Sequence, residues 1–357
     1  VNEMTNSFIG FGHVRIKSSD TLNIYSDLLN YQGNTKIAEL QDNVRLVDSR
    51  ATLTTEHLWY DRKTRIAYYT TGGKIVDSSN VLTSTKGYYY TDLQEAYFKD
   101  NVELENPDYH MHTDTMLYHT ETEVSTFFGP TTITSDENLI YCENGWYDTR
   151  NDKSQFNKNA YFLTKEQKLS GDSLYYDRVI DFGKAYNNVI LTDTIQNMMI
   201  LGNYGEFRRS DGYSYITDSA TAVLIEKKDS LFLHSDTLWI HFDDDQNVEF
   251  LFAYKHAKFF RNDMQGKCDS LVYKFADSTI FLYTEPVLWS SENQLTADSI
   301  RIAMANDQVD SLALINSAFI ISMDDTITGS TFNQIKGKTM VAYFKDNSMN
   351  CVKIYGN

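Results

Sequence analysis

One short phrase recurs along the 357-residue chain, and its regular spacing is typical of a repeat protein. It reads SGDSLYYDR at 170–178, TTEHLWYDR at 54–62, ENGWYDTR at 143–150 and HSDTLWIHF at 234–242. Its central apolar residue returns about every thirty residues, at Leu22, Leu58, Tyr88, Met116, Trp146, Leu174, Leu238, Leu271 and Ile300. A chain written in this way predicts stacked copies of one supersecondary element.

A second phrase follows half a period later, as QDNVRLVD at 41–48, KDNVELEN at 99–106, YNNVILTD at 186–193 and TEPVLWSS at 284–291. Its apolar residues alternate with polar ones, which is the period of a strand with one buried face. The two phrases together predict that an apolar interior is lined by Val44, Leu46, Val102, Leu104, Ile133, Leu174, Val189, Leu191, Leu238, Leu271, Val287 and Trp289.

Polar turn segments such as DRKT and FDDDQN separate the two strands of each repeat, so the sequence predicts an all-β fold. Asn43, Asn101 and Asn188 share a register with Pro130 and Pro286. Proline cannot donate to a strand ladder and asparagine tolerates left-handed backbone, so this position predicts a corner in every repeat. We expect one elongated stack of antiparallel two-strand repeats over residues 1–357, with a weak junction near 195–215.

The composition excludes some partners and leaves the compartment open. With 32 basic and 49 acidic residues the net charge is −17, which argues against nucleic-acid binding and against an anionic membrane surface. The apolar run at 311–322 is too short to span a bilayer. The opening VNEMTNSFIG is no leader, so the protein is cytosolic or a signal has been removed. The three cysteines, Cys142, Cys268 and Cys351, are predicted to be free thiols.

Two segments invite a metal interpretation. His110 and His112 lie on one strand face near His119, and three aspartates follow one another at 243–245. Surface histidines and a solvated hairpin turn explain these residues better, because neither set has a complete ligand pattern. We therefore expect no metal and no cofactor.

No catalytic residue is predicted. Asp61, Asp148 and Asp177 recur once per repeat, as structural turn residues do, whereas an active site normally breaks a repeat. Arg208 and Arg209 could hold a lipid phosphate or a partner carboxylate, but a solvated insertion loop is the better interpretation. Four aromatic residues at repeat positions are predicted to be mainly core: Tyr88, Trp146, Trp239 and Trp289.

The segments SGDSLYYDR…GKAYNNVILTD (170–193) and KGYYYTDLQEAYFKDNVELEN (86–106) resemble the OstA-like family. This family includes the periplasmic bridge proteins of lipopolysaccharide export. The resemblance extends over about residues 15–357. It implies an antiparallel β-jellyroll bent like a taco, with an apolar groove that carries acyl chains. This chain holds more repeats than the small bridge protein, and more large aromatic residues.

The resemblance also implies a function and partners. We expect a non-enzymatic periplasmic carrier or bridge for lipopolysaccharide, with its signal peptide removed. Its expected partners are lipid A and other transport modules, joined by end-to-end strand pairing, and further copies of itself at the terminal edges. The alternatives are a β-helical carbohydrate-active enzyme or surface adhesin, and a structural spacer with a packed interior.

Overall fold

The computed structural model describes residues 2–17, 23–47, 51–77, 79–225, 230–245, 247–290, 293–305, 308–323, 331–345 and 348–356. Leu22, one of the predicted repeat positions, lies outside these ranges. Most described residues are in β-strands, and the strands pair antiparallel, as in Leu40 opposite Leu58. The prediction of an all-β, antiparallel β-jellyroll built from repeated strand pairs is confirmed.

The chain forms two compact units, residues 1–165 with 177–179 and residues 166–176 with 180–357. The strands of the first are β1 (Phe8–Lys17), β2 (Asn23–Gln32), β3 (Ile37–Val47), β4 (Thr52–Asp61), β5 (Ile66–Tyr69), β6 (Gly73–Val76), β7 (Val81–Ser84), β8 (Lys86–Tyr90), β9 (Glu95–Glu105), β10 (His110–His119), β11 (Val124–Thr134), β12 (Leu139–Asp148) and β13 (Lys153–Leu163). Successive strands pair in order except between β4 and β9. There β4 pairs with both β5 and β6, β5 pairs with β8, β6 with β7, and both β7 and β8 pair with β9.

The second unit holds all but the last residue of β14 (Gln167–Asp177). Its further elements are β15 (Phe182–Asp193), β16 (Met198–Arg208), a 3-10 turn (Arg209–Asp211), β17 (Tyr213–Ile225), β18 (Ser230–Phe242), β19 (Val248–Arg261), β20 (Met264–Lys274), β21 (Thr279–Tyr283), β22 (Val287–Ser290), β23 (Asn293–Thr296), β24 (Ser299–Ala305), β25 (Gln308–Met323), β26 (Phe332–Lys345) and β27 (Ser348–Tyr355).

A corner recurs where two consecutive residues adopt left-handed backbone. In β3 these residues are Asp42 and Asn43, with φ of 59° and 53°, and together they face the single residue Glu56 of β4. Two residues opposite one is a β-bulge, which bends the strand and raises its twist. The same pair of left-handed residues occurs at 100–101, 158–159, 187–188, 218–219, 255–256, 284–285 and 316–317. The corner predicted at Asn43, Asn101 and Asn188 is therefore confirmed.

Neither of the two prolines predicted at this corner adopts left-handed backbone. Pro130 does share the predicted register of Asn101, because Gly129 and Pro130 together face Asp114 as Asp100 and Asn101 do. Only the register predicted for Pro286 is corrected. Proline fixes φ near about −65° and cannot adopt the left-handed conformation. At Pro130 the left-handed residue is the preceding Gly129, with φ of 88°. Pro286 follows the left-handed pair Thr284 and Glu285, so it is equivalent to Val189, which follows Asn187 and Asn188.

Small hydrogen-bond donors line the inner side of the corners on the alternate strands. Their buried hydroxyl or thiol groups donate to the carbonyl oxygen two residues ahead, over 2.8–3.4 Å, in Ser26, Thr55, Ser84, Thr113, Ser235 and Cys268. Buried carbonyls need such partners wherever a bulge interrupts the ladder. Cys142 continues the 29-residue spacing of the first four donors. Cys142 and Cys268 are therefore explained as structural residues that replace serine or threonine.

The free-thiol prediction is confirmed for all three cysteines, of which Cys142 and Cys268 are buried and Cys351 is exposed. Burial raises the pKa of the Cys142 thiol to about 11 and that of Cys268 to about 12. Both thiols therefore stay protonated at neutral pH, so Cys268 keeps the proton of its hydrogen bond.

We expect Ser235→Ala to lower the free energy of unfolding by about 1–2 kcal/mol, because the carbonyl of Thr237 loses its buried donor. Ser235→Cys should lower the free energy of unfolding clearly less than Ser235→Ala does, because the thiol of Cys268 donates the equivalent hydrogen bond. Urea unfolding followed by circular dichroism measures both. Equal losses for the two variants would contradict this role of the donor.

Candidate functional site

The inward faces on the two sides of the corner pack against each other, so each strand contributes to two facing walls. Tyr69 lies before the corner of its repeat and Ser84 beyond it, yet their hydroxyl oxygens are 2.7 Å apart and buried. Desolvation raises the pKa of Tyr69 to about 12. One core cluster likewise joins Ile24 and Val44 from one wall with Leu29, Leu40 and Leu58 from the other. The folded sheet thus encloses an apolar interior.

Next to the corner, a row of side chains crosses the strands of unit 1 at the bottom of this interior. We name it the deep row: Leu29, Leu40, Leu58, Tyr69, Gly87, Phe98, Met116, Phe127, Gly145 and Phe156. Large rings alternate with glycines, because a Cβ on Gly87 would overlap the ring of Tyr69, and one on Gly145 would come within 2.8 Å of the ring of Phe127. These residues are buried and fill the bottom of the interior.

A second row lies on the wall beyond the corner, farther from the corner than the deep row. This aliphatic row consists of Ile16, Ile24, Leu46, Leu53, Ile75, Leu82, Leu104, Met111, Ile133, Ile140 and Phe162, each opposite the next across a strand pair. Ile24, Leu82 and Met111 are buried, and the others are partly exposed. At a strand spacing of about 4.8 Å, the row provides roughly 50 Å of unbroken apolar surface.

The opposite wall of unit 1 carries tyrosines at its rim, and the residues were not predicted as part of the site. This tyrosine row alternates large and small side chains: Tyr31, Ala38, Tyr60, Ala67, Tyr89, Ala96, Tyr118, Ser125, Tyr147 and Ser154. The tyrosines are partly exposed and recur every 29 residues. This constant 29-residue interval is the signal in the sequence from which the tyrosine row could be predicted. A tyrosine combines an apolar ring with a polar tip, which suits the edge of an apolar trough.

In unit 2 most side chains of the corresponding inward rows are buried. The equivalent aliphatic row of unit 2 consists of Leu191, Ile200, Ala222, Leu233, Phe259, Gly266, Leu288, Leu295, Ile320 and Ile335, of which only Leu191 and Ile335 are not buried. The longer strands β17, β18 and β19 have 13, 13 and 14 residues. Their ends, together with the first residues of β16 and β20, form a further buried layer that contains Met198, Leu224, Leu231, Arg261 and Met264.

Ten of the twelve predicted lining residues face inward. Val44, Val102 and Val189 follow a corner and are buried, and Leu174, Leu238 and Leu271 are buried inward residues of unit 2. Leu46, Leu104, Ile133 and Leu191 belong to the aliphatic rows and are partly exposed. The rows bring together the predicted residues of each unit. Whether they contact lipid stays a prediction.

Val287 and Trp289 face outward, and Leu288 between them is fully buried, at 0% exposure. The left-handed pair lies one residue earlier than the alignment of TEPV with NNV assumed, so every later side chain changes face. The indole nitrogen of Trp289 donates to Oε1 of Gln294 over 3.0 Å, and the ammonium of Lys267 lies 5.9 Å from its ring centre. The placement of these two residues in the inward register was wrong.

The repeat aromatics Tyr88, Trp146 and Trp239 also lie on the outer face, which corrects their assignment to the core. Gly87 and Gly145 occupy the inward positions beside the first two. Tyr88 stacks on Tyr68 with ring centres 6.0 Å apart. The glycines carry no hydrophobic signal, so the alignment selected the aromatic residue next to each of them.

The metal candidates have partners of other kinds. His110 Nε2 and His112 Nδ1 lie 3.0 and 2.7 Å from the two carboxylate oxygens of Glu103, while His119 lies at the other end of β10. Asp243 accepts backbone N–H groups of Asp245 and Asn247, as a turn residue does. Within the described ranges, no three His, Cys, Asp or Glu side chains are placed to hold a metal ion.

The recurring aspartates and the arginine pair are also structural. Asp61 accepts from the N–H of Lys63 over 2.8 Å, and this hydrogen bond lowers its pKa. Arg208 is in β16 and not in an insertion loop, with its guanidinium against the Glu206 carboxylate at 2.9 Å and over the ring of Phe182. The side chain of Arg209 lies outside the described part of the structure. Arg208 is therefore already neutralised.

Across the described residues, no helix has the length and apolar character needed to cross a membrane.

Comparisons with known proteins found a family model and several solved structures. Among solved structures that match is that of LptH, the LptA homologous periplasmic component of the lipopolysaccharide transport device from Pseudomonas aeruginosa. It is 11% identical, with 40% of this chain and 97% of that chain covered and a TM-score of 0.30, too distant to support a functional argument. A search of curated proteins found no match. Residues 1–114 match the family model described as OstA-like protein, so the predicted OstA-like resemblance is confirmed over that segment.

Proposed function

We propose that this protein is a non-enzymatic, periplasmic carrier or bridge for lipopolysaccharide that holds acyl chains in the apolar interior of its folded sheet. The OstA-like match over residues 1–114 supports the transport assignment. One observation carries the proposal: the aliphatic row of unit 1 runs unbroken across the strands and stays partly exposed on a wall that faces the tyrosine row. A long, narrow apolar surface of this kind matches an extended hydrocarbon chain.

The physics of such a surface suits a carrier. Each buried methylene group contributes about 0.8 kcal/mol, so affinity comes from length and not from one tight contact. The aliphatic row repeats with each strand pair, so an acyl chain meets the same surface after each displacement by one repeat. A ligand can therefore move along the row without first losing all of its contacts.

The proposed partners follow from the resemblance and from the edge strands. β1 pairs with β2, and β27 with β26, among the described strands. Phe8, Ile9 and Phe11 on β1 are exposed, as are Ile354 and Tyr355 on β27. Unpaired strand edges with apolar side chains add further strands readily. We propose that these edges join other transport modules or further copies of the chain.

A pair of acidic substitutions on neighbouring residues of β4 tests the acyl-chain site. Leu53→Asp places a charge in the aliphatic row, where it would lie against the hydrocarbon, and we expect at least about a tenfold loss of binding to purified lipid A. Thr54→Asp adds the same charge to the exposed face, opposite Arg45 and Lys74, and should bind like the wild type.

Binding is measured by titration of fluorescent lipid A in dilute detergent, and circular dichroism checks that both variants are folded. A folded Leu53→Asp variant with wild-type affinity would exclude the aliphatic row as the acyl-chain site. A wild-type chain that does not bind lipid A at all would contradict the carrier function itself.

A further inference from the structure

We propose that lipid binds to unit 1 alone, with its acyl chains on the aliphatic row and an anionic phosphate of its headgroup on Lys36, Arg62 and Lys63. Unit 2 then serves as a spacer with a packed interior. This inference rests on the proposed lipid-carrier function and adds where on the chain the ligand binds and which residues recognise its charge.

The exposure of the inward rows separates the two units. In unit 1, Tyr31, Tyr60, Tyr89, Tyr118 and Tyr147 are all partly exposed along one rim. The matching row of unit 2 is buried except for Phe207: Gly183, Ser214, Ile240, Leu251, Tyr273, Ile280, Ile302, Leu312 and Ala342. A close-packed interior has no room for an acyl chain unless its walls separate. Unit 1 therefore offers an accessible apolar surface and unit 2 does not.

An ion pair helps to seal unit 2. Arg261 is buried at 3% exposure, and its Nε and Nη2 donate to the two carboxylate oxygens of Asp263 over 2.6 and 2.7 Å. Its strand neighbour Met264 lies in the same outer layer. The Asp263 side chain is 20% exposed, but breaking this bidentate pair would still leave the buried guanidinium charge without its partner. Opening unit 2 for a lipid would therefore be opposed by more than lost apolar contacts.

A basic patch lies at the rim of unit 1 beside the tyrosine row. The turns at 33–36 and 62–65 are neighbours, since the N–H of Arg62 donates to the carbonyl of Lys36 over 3.1 Å. Lys36, Arg62 and Lys63 are exposed on these turns. Arg65 on the same turn pairs with Asp92 at 2.9 Å. Basic side chains grouped in this way favour a phosphate group.

Arg62 connects this patch to the apolar interior. Its Nη1 donates to the hydroxyl oxygen of Tyr31 over 3.3 Å, and its guanidinium lies 5.9 Å from the centre of that ring. Tyr31 in turn packs against the core cluster of unit 1. A lipid with acyl chains on the aliphatic row could thus place a headgroup phosphate at Arg62 without leaving the trough.

The charge of the other rim turns supports this location. The turn that ends β10 carries Glu121 and Glu123, and the corresponding turn of unit 2 carries Asp243, Asp244 and Asp245. A phosphate would be repelled at these places. In a chain with a net charge of −17, the turns at 33–36 and 62–65 are a local exception that fits an anionic headgroup.

The headgroup part is tested with the triple variant Lys36→Gln, Arg62→Gln and Lys63→Gln in the full chain. Its affinity for bisphosphorylated lipid A should fall by about tenfold at low salt and by less at high salt. Its affinity for dephosphorylated lipid A should not change. The control, Lys336→Gln with Lys338→Gln, removes exposed charges from unit 2 and should change neither. Equal losses for both lipids, or no loss, would overturn the phosphate site.

Inorganic phosphate distinguishes a lipid headgroup from a free anion. Millimolar phosphate should displace only a small part of bound lipid A, because the acyl chains supply most of the affinity. Binding of phosphate by the lipid-free chain at micromolar concentration, abolished in the triple variant, would instead assign the patch to a free anion and overturn the headgroup role.

The location in unit 1 is tested by photocrosslinking in aromatic positions of the same row. Benzoylphenylalanine at Tyr60 or Tyr89 should crosslink lipid A, and at Phe207 or Tyr273 it should not. Hydrogen exchange on the wild type gives the same information without a variant: lipid A should protect amides of unit 1 only. Crosslinks or protection in unit 2 would overturn this inference and leave the carrier function standing. Binding in neither unit would contradict the carrier function.

Discussion

Leu288→Asn should destabilise unit 2 by about 4 kcal/mol or more, because it removes a fully buried side chain and buries an amide without a partner. The neighbouring substitution Trp289→Gln should cost less than about 1.5 kcal/mol, since the indole lies on the outer face with one hydrogen bond to Gln294. Urea unfolding of both variants, followed by circular dichroism and limited proteolysis, gives the two values.

This pair of substitutions decides the register of β22. A one-residue shift in the register of β22 would bury Trp289 and expose Leu288, so the order of the two losses of stability would be reversed. That reversed order is the result that contradicts the structure, and it is also what the sequence pattern alone predicted.

The sequence could predict the strands and the corners because both leave strong local signals. Alternating Val and Leu mark one buried face, and Asn43, Asn101 and Asn188 mark a left-handed position that few residues tolerate. The register around Pro286 could not be predicted in this way. Proline and asparagine both signal a corner, but proline cannot be the left-handed residue. Pro130 still occupies the bulge position of Asn101, whereas Pro286 lies one residue beyond its left-handed pair.

The hydrophobic pattern also could not predict the inward-facing glycines and tyrosines. Gly87 and Gly145 face inward without apolar side chains, so the hydrophobic pattern predicts their outward neighbours Tyr88 and Trp146 as core residues. The tyrosines at 31, 60, 89, 118 and 147 repeat every 29 residues, but their partial exposure follows from how far the two walls extend. Accessibility of that kind depends on strand length in three dimensions and not on composition.

Gly87→Ala should destabilise unit 1 by about 2–3 kcal/mol, because a methyl group at this position overlaps the ring of Tyr69. The ring has little freedom to move, since its hydroxyl is bonded to Ser84 and Gly73 contacts it from another side. Replacing Tyr69 with the smaller leucine should therefore reduce the destabilisation that Gly87→Ala causes. We expect the double variant Gly87→Ala with Tyr69→Leu to be less destabilised than the sum of its single variants by at least about 1 kcal/mol.

Gly145 provides the matched control for this cycle. A Cβ there would meet the backbone carbonyl oxygen of Gln155 at 2.6 Å as well as the ring of Phe127 at 2.8 Å. Shortening Phe127 to leucine cannot move the carbonyl, so Gly145→Ala should stay destabilising in the double variant. Unfolding midpoints in urea measure both cycles. Equal rescue at both glycines, or none at Gly87, would contradict the packing described for the deep row.

Native mass spectrometry of the full chain tests the central claim most directly. The protein is produced in a cell that makes lipopolysaccharide, extracted from the membrane fraction in mild detergent, and transferred to the gas phase without denaturation. The account predicts a species heavier than the bare chain by the mass of lipid A or of lipopolysaccharide, reduced in Leu53→Asp and retained in Thr54→Asp. A spectrum with the bare chain alone, from a sample whose detergent extract contains abundant lipopolysaccharide, would contradict it.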